Sequence, residues 1–159
     1  MKPDYHERGG AAVAVLNRME AWEANIVLNL RLWCDGPEGQ SLVWNEYRKA
    51  LPGAQAQRAC KQFESLLTTL IDQAHRPLVR HDVGCSCLGA DECIFVNLIR
   101  FASDGHLNDA ALVATLIAGP TYAEQIAVLA GEVGHCARSI HAHSAELSPL
   151  AGSNVVRLH

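Results

Sequence analysis

Ala54-Gln-Ala56-Gln-Arg-Ala59-Cys60-Lys-Gln-Phe63-Glu-Ser-Leu66-Leu67-Thr-Thr-Leu70-Ile71-Asp-Gln-Ala74 decides the fold class. Ala56, Ala59, Cys60, Phe63, Leu66, Leu67, Leu70 and Ile71 recur at steps of three and four. That spacing puts them on one face of a helix and predicts a buried stripe five turns long. Pro52-Gly53 sets the start of this helix, and Pro77 ends it.

Upstream, the sequence predicts two more helices. One runs from about Gly10 to Trp33, where Val15, Met19, Trp22, Ile26 and Trp33 form a stripe widened by Leu16, Val27 and Leu30. Cys34-Asp-Gly-Pro37 breaks it, and Pro37 suits the first turn of a second helix because its missing N–H is not needed there. This second helix should reach Leu51 and bury Val43, Trp44 and Tyr47.

Downstream, Asp91 to Ala102 reads as a helix with Ile94, Phe95, Leu98, Ile99 and Phe101 inward. Asn108 is positioned to cap a short helix ending at Gly119. Thr121 with Glu124 has the capping-box spacing for a last helix to about Ser144. Residues 1–9 read as an arm and 145–159 as a loose tail; no repeat or strand is expected. The expected fold is therefore all-α: one domain over residues 1–159, an irregular bundle of five or six helices.

Composition agrees. Over 159 residues, 49% are hydrophobic and 19% charged, enough to bury a core. The net charge of −4 gives no basic excess for phosphate backbones, so a nucleic-acid partner is not expected, Arg76, Arg80 and His81 being the nearest thing to a basic patch. No run is apolar for the roughly 18 residues a bilayer span requires, and the polar N-terminus is not a signal peptide. A cytoplasmic address follows as an expectation, and there the six cysteines would stay reduced rather than form disulfides.

Between the third and fourth helices lies a segment without helical or strand period: His75-Arg-Pro-Leu-Val-Arg-His81-Asp-Val-Gly-Cys85-Ser-Cys87-Leu-Gly-Ala-Asp-Glu-Cys93. A connection of this length inside a small domain needs something to hold it. His81, Cys85, Cys87 and Cys93 provide four soft donors, the number and kind that a tetrahedral zinc ion takes. Gly84 and Gly89 give the backbone freedom to wrap an ion, and Cys93 would meet the helix N-terminal dipole, which favours its thiolate. His75 in place of His81, or Cys60 in place of Cys93, is an alternate ligand. The competing readings are inert buried thiols, or a redox pair strained by its tight spacing.

Other clusters carry less. Glu132-Val-Gly-His135 is half of a di-iron carboxylate motif, but it has no second copy, and Gly131 and Gly134 point to close helix packing. His135, His141, His143 and Cys136 do not share a helix face, and the histidines read as solvated groups near a helix end. No Gly-rich phosphate loop, G-x-S-x-G or H-E-x-x-H is present.

The strings Leu30-Arg-Leu-Trp-Cys-Asp-Gly-Pro-Glu-Gly-Gln40 and Arg80-His-Asp-Val-Gly-Cys-Ser-Cys-Leu-Gly-Ala-Asp-Glu-Cys93 resemble those of a group of small, uncharacterised bacterial proteins, over roughly residues 25–140. The resemblance implies a helical, cytoplasmic bacterial protein, with no activity and no functional residue attached. The functional expectation is a non-enzymatic, zinc-binding regulatory or interaction module with a structural metal site. A homodimer or another protein is the expected partner, suggested by the wide first-helix stripe with Trp22 and Trp33. A metal-dependent enzyme with Asp82, Asp91 or Glu92 as acid/base and a thiol redox sensor are the alternatives.

Overall fold

The computed structural model describes the backbone of residues 12–152 and the side chains of residues 15–146. The arm expected at 1–9 and the end of the tail, 153–159, lie outside the described residues. Among the described residues six α-helices carry the fold: α1 Ala21–Cys34, α2 Pro37–Ala50, α3 Gly53–Gln73, α4 Ala90–Ser103, α5 Leu107–Ala114 and α6 Ala123–Gly152. Two short strands, β1 Ala12–Val15 and β2 Cys87–Gly89, pair antiparallel as a ribbon too small to change the all-helical class.

The α3 stripe forms the centre of the bundle as its spacing predicts. Phe63, Leu66, Leu67, Leu70 and Cys60 are fully buried, with Ala56 and Ala59 beside them, whereas Ile71 remains exposed. Phe63 meets Trp33 edge-on at 5.8 Å and Tyr47 at 6.2 Å, joining α1 and α2 to α3. On the other side α4, α5 and α6 pack on one another, and α6 also covers α3. Helices come very close at two glycines. At Gly39 a Cβ would overlap the Leu32 carbonyl, and at Gly134 it would fall 2.7 Å from the Ser103 Cβ.

The structure corrects four boundaries. The first helix does not begin at Gly10: Ala12–Val15 is extended, a 3-10 turn follows at Leu16–Arg18, and α1 starts after Glu20. The Ala-Val run finds backbone partners on β2, and Leu16 N–H donates to the Ser86 carbonyl at 2.8 Å, so pairing overrides local helical preference. Helix α5 stops at Ala114 rather than Gly119, because the next residues turn back to α3: His75 N–H donates to Ile117 O, and Gly119 N–H to Gln73 O. Thr121 lies in a 3-10 turn, Pro120–Tyr122, and α6 starts at Ala123. Helix α6 also continues to Gly152, through the first half of the expected loose tail.

Trp22 and Trp33, which suggested a dimer, are 5% and 7% exposed. Trp33 packs on Phe63, and Arg138 lies over the Trp22 ring at 4.6 Å. The first-helix stripe from Trp22 to Trp33 is thus spent on the protein's own core.

Candidate functional site

Helix α1 places Glu23, Val27 and Arg31 on one row, each four residues from the next, and all three are buried. Helix α4 repeats the pattern with Glu92, Val96 and Arg100. The rows meet head to tail. Arg31 pairs with Glu92, Arg100 with Glu23, and Val27 and Val96 pack between them with Leu88. Each glutamate answers the other helix's arginine, so the doubled E-x3-V-x3-R spacing sets the register of α1 on α4.

Arg31 is completely buried, and every N–H of its guanidinium has an acceptor. Nε and Nη2 donate to the two Glu92 oxygens at 2.6 and 3.0 Å. Nη1 donates to the carbonyls of Asp82 at 3.2 Å and Cys85 at 2.7 Å, and Nη2 to that of Cys87 at 2.6 Å. A guanidinium has five donors, and all five are used. Glu92, fully buried as well, accepts in addition from the backbone N–H groups of His81 and Gly89 at 3.0 and 2.9 Å. His81 Nδ1 lies 3.1 Å from the second Glu92 oxygen. An ionised carboxylate only accepts, so Nδ1 carries the proton. Although burial pushes the Glu92 carboxyl upward, Arg31 and the two backbone donors outweigh it and hold the group below its ordinary value.

These bonds answer the question that the unpatterned segment posed. Its start is fixed by the bridge between Ala74 and Ala118. Arg76 then grips both Asp91 oxygens at 2.7 and 2.8 Å, Val79 N–H donates to the same carboxylate, and Arg80 pairs with Asp35 at 2.8 Å. The Arg31–Glu92 pair holds the middle and β1 the end. A buried ion pair and its neighbours therefore tie this segment down along its length.

The six sequence-nominated ligands do not converge. Cys85 and Cys87 both lie half-buried in the loop, one residue apart, with their carbonyls held by the same Arg31 guanidinium. Burial, then the Cys85 thiol, push Cys87 upward, while Arg31 and the Ser86 hydroxyl act against them. Buried His81 faces Glu92. Cys93 leaves the loop altogether, packing with Val27, Leu88 and Val96 at the edge of a groove of about 560 Å³, 3.5 Å from the Asn97 amide. Cys60 is fully buried in the α3 core, its thiol pushed up to about 12 by desolvation, and His75 lies 3.3 Å from the Thr115 carbonyl. Among the described residues, no group of three or more His, Cys, Asp or Glu side chains is placed to hold a metal ion. Compared with known proteins, the chain matches no family model, no curated protein and no solved structure.

Arg31, the centre of this arrangement, is absent from the sequence candidates. Its signal was the row itself: an arginine four residues after inward Val27, matched by the same spacing at Glu92–Arg100.

Proposed function

We propose that the protein is a small zinc-binding module that works by association rather than catalysis, with Cys85 and Cys87 as its metal-binding thiols. One observation carries this reading. A single buried guanidinium fixes the main chain of both residues, through the Cys85 and Cys87 carbonyls. A chelating pair held in place this way gives up little conformational freedom on binding a cation. The exposed residues between and before them, Ser86, Gly84 and Asp82, put this pair at the molecular surface.

Two competing readings have less support. A redox sensor works through a standing thiolate, whereas Cys87 is pushed toward the neutral thiol. A bound cation has to displace the thiol proton as well, so the same shift makes zinc uptake strengthen as pH rises. Of the acid/base candidates for a metal enzyme, Asp91 and Glu92 are engaged with arginines and backbone N–H groups, which leaves the exposed Asp82 to carry that reading. No described helix is long and apolar enough to cross a membrane, and a reducing cytoplasm, proposed here as the setting, keeps such thiols free.

Elemental analysis of the purified, reduced protein, with thiol titration before and after chelation, tests the reading. Bound zinc is expected, with two thiols shielded until the chelator is added. Metal-free protein whose thiols react freely and close to a disulfide would replace it with the redox reading.

A further inference from the structure

Resting on the zinc-binding reading, we infer that the ion is held between two copies of this chain, each giving Cys85 and Cys87, so that the site is complete only in a dimer. Zinc in a closed structural site takes four ligands in a tetrahedron. One chain offers two half-buried thiols one residue apart on a main chain fixed by Arg31, and among the described residues no third His, Cys, Asp or Glu completes a metal-holding group with them. The other nominated sulfurs are committed elsewhere, Cys93 against Val96 and Leu88 and Cys60 in the α3 core.

A two-fold axis through the ion supplies the missing pair from an identical surface, the commonest symmetry of soluble oligomers. The exposed Gly84–Ser86 tip lets a second loop approach. Rigid anchoring by Arg31 keeps each half-site from folding back on the ion to finish the set alone. On loading, the four thiols lose their protons to solvent and four sulfur–zinc bonds form, with nothing oxidised. The resulting anionic cluster has an Arg31 guanidinium close by in each copy.

The test adds zinc chloride to the reduced full-length chain while light scattering reads mass and elemental analysis reads metal. The mass is expected to double from 17.2 kDa at one zinc per two chains. Cobalt in place of zinc should give a four-thiolate absorption spectrum at the same half-equivalent. Cys85→Ser and Cys87→Ser, each checked for native helicity by circular dichroism, should stay monomeric under the same zinc. If either variant fails to fold, alkylating the native protein's half-buried thiols before zinc is added should block dimerisation equally. A monomer with one zinc per chain overturns the bridge but keeps the zinc reading, with ligands from a single chain. A dimer indifferent to zinc or to both cysteines overturns the bridge as well. A chain that takes up no zinc overturns both.

Discussion

Arg31 directs all five of its hydrogen bonds to Glu92 and the loop carbonyls. Replacing it with methionine leaves Glu92 charged, buried and short of its main partner, and frees the carbonyls of Asp82, Cys85 and Cys87. Breaking a buried pair from one side costs about 3–5 kcal/mol, and urea unfolding of Arg31→Met should show a loss of that size. Adding Glu92→Leu should recover only part, because the three carbonyls still lack a donor. A loss under about 1 kcal/mol would mean that water replaces the guanidinium.

Asp91 gives a pH dependence with a definite sign. The Arg76 hydrogen bonds chiefly, helped by Val79 N–H, hold its carboxyl below the ordinary 3.8. The folded value thus lies below the unfolded one, and the pair's contribution is complete above that range and lost as pH falls through the lower folded value. Asp91→Asn should therefore lose less stability than the native chain as pH is lowered below about 5, as denaturant midpoints would show. Arg76 is more than half exposed, so the difference is small.

At the scale of the element, α1 and α4 owe their register to matched rows, and α4 and α6 their closeness to Gly134. A methyl group at Gly134 meets the Ser103 Cβ at 2.7 Å and an Ile99 methyl at 2.9 Å. Gly134→Ala should cost about 1–3 kcal/mol in thermal or urea unfolding, the usual penalty of overpacking. Gly53→Ala, at the start of α3 with open space around it, serves as the control and should be neutral or slightly stabilising. The helices themselves were legible: α3 follows from its three-four spacing, α2 from Pro37 and its inward aromatics, α4 from the Asp91–Ala102 pattern. What misled was the Ala12–Val15 run, apolar enough for a helix but taken up by β2, a segment more than 70 residues away.

For the whole molecule, two apolar clusters imply two levels of stability. The large core around Phe63 joins all six helices, while Val27, Leu88 and Val96 form a small cluster beside the loop. Sub-global opening starts where few apolar contacts hold a segment. In Arg31→Met, hydrogen exchange should quicken at the His81 and Gly89 amides, both bonded to Glu92, while the Leu66 and Leu67 amides within α3 stay slow. Equal acceleration at both places would mean that loop and core open as one unit.

The sequence by itself determined the helical class, the main helix-bearing spans and the one segment lacking a period, because helical burial repeats every three to four residues and proline and glycine punctuate it. The candidate ligands it nominated were His81, Cys85, Cys87 and Cys93 together, with His75 and Cys60 as alternates. Only the tertiary structure decided that Arg31 and Glu92 grip that segment, that Cys93 and Cys60 face away from it, and that the first-helix stripe is consumed internally. Which buried charge meets which carbonyl depends on helices 61 residues apart in the chain settling into one register, and no local pattern encodes that distance.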